Sequence, residues 1–298
     1  MPIIRQAHHI TKHISLPVWS LLCAASLWGI FWYPLREFST HGLSGLWTSL
    51  FMYLGTLVVG IPWLYRYRHE FLRSPGLLLA IGLTSGWCNT AFVLSVIEGP
   101  VLRAMLLFYL SPIWATLMAG FFLKEKLGAM VWVVLTVAMT GAIIMLWEDD
   151  LGYPWPQSRA DLYALSAGIT FAMVNTLTRY ASRVSVTAKT TAAWFGGILV
   201  AALVLIIIQQ PLPVIDNKII FYALVYGAIG MVLMTLFVQY GVTNLPVHRS
   251  AVILLFEIFI GAVSAYFLAS EVMQWREWIG GILVLLAAYL SIPSNESS

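Results

Sequence analysis

One carboxylate lies in the middle of an apolar stretch in the last sixth of the chain. The stretch is RSAVILLFEIFIGAVSAYF, residues 249–267, and the carboxylate is Glu257. A charged side chain at the centre of a bilayer costs about 2.5–3.5 kcal/mol on insertion scales. On a helix, Ser250, Gly261 and Ser264 share the face of Glu257, which would direct this face into a helix bundle. We therefore interpret Glu257 as a group that binds a substrate amine or a coupling proton. The alternative is a buried structural carboxylate that joins two helices.

Other side chains that could contact a solute also lie within apolar segments. Asn89 and Asn175 could bind a ligand, or they could join helices by hydrogen bonds. Ser111 takes the position of Glu257 in the internal repeat described below. Aromatic rings would suit flat or cationic solutes, although each ring could equally pack in a core. The aromatic candidates are Trp28, Trp32, Tyr109 and Trp114.

The composition predicts that these residues are positioned by membrane-spanning elements. Of the 298 residues, 60% are hydrophobic and 10% are charged, whereas a soluble domain has about 25% charged residues. The formal net charge of +3 is spread along the chain, so no nucleic-acid partner is expected. The chain has no GxxxxGK[ST] motif for ATP. No catalytic set such as H-E-x-x-H or G-x-S-x-G lies in an apolar segment. We expect no catalytic residues, no metal and no cofactor.

Ten apolar segments are long enough to be candidate spans, since a spanning helix needs about 20 residues. The sequence therefore predicts an all-α membrane protein with ten transmembrane helices. Five of them lie in residues 16–147 and five in residues 161–293, joined by a polar connector at 148–160 and flanked by tails at 1–15 and 294–298. The candidate spans are 16–35, 45–65, 76–97, 101–123, 129–147, 161–181, 190–210, 219–241, 247–269 and 277–293.

The two halves resemble each other. A shift of 146 residues aligns EGPVLRA (98–104) with NLPVHRS (244–250), so that Arg103 meets Arg249. Because each half has an odd number of spans, the second five-helix repeat would be inverted in the membrane. Inverted repeats with a site near the midplane are typical of alternating-access transporters. The two arginines would then lie near opposite surfaces as gate candidates, or they would extend to the interface as snorkelling side chains.

The distribution of basic residues predicts the orientation. If the N-terminus is cytoplasmic, 11 of the 16 Lys and Arg residues fall at the cytoplasmic side, as the positive-inside rule requires. Both termini are then cytoplasmic and the 148–160 connector lies outside.

These features resemble the drug/metabolite transporter superfamily, in particular its EamA-type members. Such proteins often have Glu-Pro where this chain has Glu257-Ile258, so the sequence supplies no proline to break the ninth span. The resemblance implies a multi-pass carrier of the bacterial inner membrane, often an exporter of amino acids or other small metabolites. The motifs that carry it are Trp28-Gly29, SPIWA (111–115), GFFLKEKL (120–127), LLFEI (254–258) and YFLASE (266–271).

The leading functional hypothesis is a secondary transporter in the lipid bilayer that exports a small amphiphilic metabolite, such as an amino acid or a drug. A proton is the candidate coupling ion, and the chain is expected to be a monomer or a homodimer. One alternative is an importer or exchanger of an anionic metabolite, attracted by Arg103 and Arg249. Alternatives of another class are a non-transport membrane scaffold and an intramembrane enzyme.

Overall fold

A computed structural model describes residues 16–147, 156–269 and 274–291, and these residues form helices with short connections and no β-strand. The helices of residues 16–147 are numbered in chain order. They are α1 (Leu16–Ile30), α2 (Trp32–Thr40), α3 (Gly45–Gly55), α4 (Leu57–Arg66), α5 (Arg68–Arg73), α6 (Pro75–Glu98), α7 (Val101–Phe108), α8 (Ser111–Phe122) and α9 (Ala129–Leu146).

The second half continues the all-helical arrangement. One span contains a short π-helical segment, in which the backbone hydrogen bonds join residues i and i+5. The elements are α10 (Arg159–Tyr180), α11 (Val186–Ile207), α12 (Asn217–Tyr226), the π segment (Gly227–Met231), α13 (Val232–Asn244), α14 (Val247–Leu254), α15 (Phe256–Ala269) and α16 (Trp275–Leu290).

Seven helical stretches of the described chain, four of them made of consecutive helices, are long and apolar enough to cross a membrane, which makes this a multi-pass, all-helical membrane protein. Helices α3 and α4 meet at a bend of 47° and would form an eighth span if taken together. Two of the ten predicted spans do not meet this criterion of length and hydropathy. Helix α10 carries Arg159, Asp161 and Arg179, and α16 has 16 residues, or about 24 Å at 1.5 Å per residue.

Two spans are interrupted for one or two residues at nearby places in the two halves, and each continues as one span overall. Pro112 lacks an N–H, and its ring clashes with the carbonyl group four residues earlier, so α7 ends at Phe108. In the second half α14 ends at Leu254 although no proline is present. The break has the same pattern in each half, a pair of tight i→i+3 hydrogen bonds around one leucine. Leu110 N–H donates to Leu107 O and Leu110 O accepts from Ile113, while Leu255 N–H donates to Val252 O and Leu255 O accepts from Ile258.

Close helix crossings join the halves through glycine at several places. Where α6 packs on α11, a methyl group on Gly82 would lie 2.7 Å from the carbonyl oxygen of Ala192, and one on Gly196 would overlap the backbone of Gly82. Where α3 packs on the segment around the π helix, Gly227 faces the backbone of Met52. Where α9 packs on α16, Gly141 and Gly280 face each other. Small residues let membrane helices approach this closely, because their packing depends on van der Waals contact.

Candidate substrate cavity

A cavity lies at the centre of the bundle, between helices of both halves. Its empty space, counted together with the adjoining solvent, is about 1100 Å³. Ligand sites are usually largely apolar, with a few polar groups that orient the ligand, and this cavity follows that pattern. Its polar lining residues are Tyr53, Ser85, Cys88, Asn89, Tyr109, Ser111, Asn175, Thr235, Gln239 and Glu257, and its other aromatic lining residues are Trp28, Phe92, Phe108 and Phe171.

The centre of this site is a contact between the two interrupted spans. The Tyr109 hydroxyl donates a hydrogen bond of 2.9 Å to Glu257 Oε1. Tyr109 follows the last residue of α7, and Glu257 lies in the first turn of α15. The partial positive charge at a helix N-terminus favours a carboxylate in that position. Gly29 lets α1 approach this turn, since a methyl group there would lie 2.7 Å from the carbonyl oxygen of Glu257.

The Glu257 carboxylate has no cationic partner among the described side chains. Tyr109 makes the hydrogen bond that the structure gives it, and the ion pairs of the described chain involve other acids. Glu257 is partly exposed, and it lines the cavity. A carboxylate in such a place can accept a hydrogen bond from a ligand ammonium group, or it can take up a proton.

Asn89 and Asn175 lie in the wall of the same cavity, on α6 and α10. Asn175 is 3% exposed. Asn89 Oδ1 and Asn175 Nδ2 are buried, and no described group is within hydrogen-bonding distance of either atom. The bond between helices that a purely structural asparagine would form is therefore not seen at these two atoms.

Trp28 and Ser111 also reach the cavity, whereas Trp32 and Trp114 lie outside its lining. Trp32 Nε1 donates to Ser264 Oγ at 2.8 Å and so joins α2 to α15. Trp114 packs beside a buried cluster that includes Ala115. A tryptophan within an apolar segment looks the same in the sequence whether it lines a cavity or packs in a core. The sequence could therefore not separate Trp32 and Trp114 from Trp28.

The small, polar face predicted around Glu257 is used for packing over most of its length. Ser264 Oγ donates to the carbonyl oxygens of Gly29 at 3.2 Å and Gly261 at 2.8 Å. Ser250 is buried and bonds to Pro246 O within its own helix. Of this face, Glu257 is the residue that reaches the cavity.

The two arginines suggested as gates have different surroundings, and neither lines the cavity. Arg103 is buried, and its Nε donates to Asp161 Oδ1 at 2.8 Å, which joins α7 to α10. Asp161 Oδ2 accepts from the Gln157 N–H at 2.7 Å. Arg103 is thus buried and paired within the bundle. Arg249 is half-buried near the start of α14.

A second connection between the halves lies beside Arg249. Glu125, in the loop between α8 and α9, accepts from the Val247 N–H at 3.1 Å and pairs with His248 Nδ1 at 2.8 Å. Burial by itself raises the pKa of the Glu125 carboxyl group, but the hydrogen bonds from His248 and Val247 outweigh burial and lower the pKa below its ordinary value of 4.5. The ionised carboxylate therefore caps the first turn of α14.

Some cavity residues were not predicted from the sequence. Gln239 has a detectable signal, because it is a polar residue in the middle of an apolar segment, and its Oε1 accepts from Thr178 at 3.2 Å. Tyr53 and Cys88 carry no such signal, since tyrosine and cysteine are common in the cores of membrane helices. Their position depends on how α3 and α6 pack.

A bundle of membrane-crossing helices around a partly polar cavity between two halves is an arrangement typical of solute carriers. The family model of the EamA-like transporter family matches residues 15–147 and again residues 158–292. The chain belongs to the EamA-like transporter family, within the drug/metabolite transporter superfamily, and contains two of its repeats.

Two curated relatives and one solved structure are similar to the chain. It is 23% identical to the S-adenosylmethionine uptake transporter of Rickettsia prowazekii over 259 residues, which are 84% of this chain and 83% of that protein. It is 26% identical to Protein RarD of Salmonella typhi over 137 residues, 42% of this chain and 45% of that protein. A crystal structure with 18% identity covers 92% of this chain and 96% of its own at a TM-score of 0.73, so it has the same fold.

Proposed function

We propose that this protein is a secondary transporter that exports a small amphiphilic metabolite, such as an amino acid or a drug, by alternating access. The observation that carries this proposal is the carboxylate of Glu257, which faces the central cavity with Tyr109 as its hydrogen-bond donor and no described cation beside it. A cationic or zwitterionic solute would supply the missing positive charge. A proton on the same carboxylate would couple export to the proton gradient.

The proposed transporter has ten transmembrane helices in two inverted repeats, at residues 16–147 and 161–293. The tails at 1–15 and 294–298 are cytoplasmic, the 148–160 connector lies outside, and the membrane is the inner membrane of a bacterium. The interruptions around Leu110 and Leu255 support the repeat relationship, because the same local hydrogen-bond pattern recurs within one residue of the 146-residue shift.

The proposed gates lie at the ends of the interrupted spans. Arg103, held by Asp161, would close the outer side, and Arg249, next to the capped first turn of α14, would close the inner side. Under this proposal a cysteine at position 103 reacts with a water-soluble reagent mainly in the outward-open state, and one at 249 mainly in the inward-open state. Equal reactivity of both cysteines with and without substrate would contradict it.

Uptake of a cationic solute is the second candidate function. One relative is named as an uptake transporter for S-adenosylmethionine, an amphiphile with a positively charged sulfonium group and an aromatic base. The unpaired carboxylate and the aromatic wall would suit such a solute. Anionic solutes fit less well, because Arg103 is occupied by Asp161 and neither gate arginine lines the cavity.

Counterflow in proteoliposomes tests these proposals. Vesicles with purified protein are loaded with an unlabelled aromatic amino acid or S-adenosylmethionine, and entry of the same labelled solute is followed. A transporter gives a transient accumulation above equilibrium, and a pH gradient of either sign then tests coupling and direction. No counterflow for any cationic or zwitterionic solute, from protein with an intact melting transition, would contradict the proposal of a carrier for such solutes.

A further inference from the structure

Two amide side chains in the cavity wall have hydrogen-bonding capacity that the protein does not use. Asn89 Oδ1 and Asn175 Nδ2 are both buried without a partner among the described groups. Buried polar atoms are bonded in the great majority of cases, and each exception needs an explanation. Both residues line the cavity, so a solute is a possible partner.

The asparagines can present these atoms to a solute. Rotation about χ2 of asparagine is soft, so an amide can turn within its site at little cost. An asparagine offers carbonyl acceptor sites and two N–H donors. The pair can therefore supply an acceptor and a donor from α6 and α10, two helices that pack along each other.

Aromatic rings stand next to both amides. Phe92 follows Asn89 by three residues and Phe171 precedes Asn175 by four, so each ring shares a helix face with its asparagine. Phe108 lies between the two rings, with its centroid 4.9 Å from that of Phe92 and 5.5 Å from that of Phe171. A flat group bound along these rings would bring its polar edge towards the amides.

We infer that the cavity selects a solute that carries a neutral hydrogen-bonding group, a carboxamide or the polar edge of a heteroaromatic ring, on a flat ring that also bears a cation. The cation would bind at Glu257, the ring along the phenylalanines, and the neutral group at Asn89 and Asn175. This inference rests on the proposed function, since it assigns a solute class to the same cavity.

Three matched probes isolate the contribution of the neutral group. Benzylamine has the ring and the cation, and the 3- and 4-(aminomethyl)benzamides add a carboxamide at two positions. Affinities for purified protein are measured by isothermal titration calorimetry. Because the asparagine atoms are already withdrawn from water, the new hydrogen bonds should make at least one benzamide bind about tenfold more tightly than benzylamine.

Leucine variants assign this gain to the asparagines. In Asn89→Leu and Asn175→Leu the tenfold advantage, taken as the ratio of the two affinities for the same variant, should shrink to about threefold or less, while a cooperative melting transition reports an intact fold. Thr90→Val is the matched control, because Thr90 is a buried neighbour of Asn89 with an unpartnered hydroxyl that does not line the cavity. This variant should keep the full advantage.

The outcomes separate the inference from the proposed function. Equal affinity of benzylamine and both benzamides for the unchanged protein would overturn the inference and leave the carrier intact. So would an advantage that survives in both leucine variants. If neither probe class binds at all, the cation site at Glu257, and with it the proposed function, is contradicted.

Discussion

Replacement of Glu257 by glutamine is expected to reduce counterflow of a cationic solute by about 10-fold to 150-fold. Glutamine keeps the size of the side chain, and its amide oxygen can still accept the Tyr109 hydrogen bond of 2.9 Å. What is lost is the charge. A hydrogen bond to a charged group contributes about 1.5–3 kcal/mol, and 1.36 kcal/mol corresponds to a factor of ten.

The melting temperature of Glu257→Gln should not fall together with its transport activity. Removal of an unpaired acid from the interior of a membrane bundle removes a desolvation cost, so the melting temperature in detergent should stay the same or rise. A purely structural carboxylate would give the reverse pattern, in which transport per folded molecule survives and the melting temperature falls. Both quantities should therefore be measured on the same purified variant.

Tyr109→Phe completes the experiment. This variant removes the hydroxyl donor and leaves the charge, so counterflow should fall by about two- to tenfold, the range of a single net hydrogen bond. Because the two side chains touch, the double variant with Glu257→Gln should lose less than the product of the single losses. Full activity of Glu257→Gln, with unchanged apparent affinity, would refute a role of this carboxylate in transport.

Three further predictions use exposed or open positions as controls. Glu125→Gln should melt at a lower temperature than the unchanged protein at pH above 4.5. Because the folded-state pKa of Glu125 is lowered, its stabilisation is lost as pH falls through that pKa, and the difference in melting temperature should disappear in acid. Lys126→Gln in the same loop should show no such difference. Gly82→Ala should lower the melting temperature and the yield, because its methyl group meets a carbonyl oxygen, while Gly76→Ala in the same helix has open space and should be neutral or stabilising by about 0.5–1 kcal/mol. On a background without the native cysteines, Gln157→Cys should react with an impermeant maleimide in intact cells. Lys126→Cys should react only after the cells are permeabilised, and the reverse result would refute the proposed topology.

The helices and the presence of a polar cavity could be predicted from the sequence because lipid imposes strong rules. A run of apolar residues must be helical to satisfy its own backbone groups, and a polar residue within such a run must face protein or water. These rules single out Glu257, Asn89 and Asn175, and the structure places all three in the wall of one cavity.

The remaining features depend on contacts between distant segments. Tyr109 and Glu257 are 148 residues apart, and no local pattern could pair them. The break at Leu255 has no proline signal, since it arises from two tight turns within an apolar run. The pairing of Arg103 with Asp161 likewise requires the packing of α7 against α10, which an apolar pattern does not specify.

The glycine crossings have a consequence for how the halves can move. At Gly196 facing Gly82, and at Gly227 facing Met52, backbone touches backbone with no side chain between. Side chains in an interface can change rotamer and so absorb sliding, but bare backbone has no such freedom. The same bare contact joins α9 to α16, at Gly141 facing Gly280. Sliding between the halves is therefore restricted at these crossings, and the movement of a transport cycle would fall mainly on segments that meet through side chains.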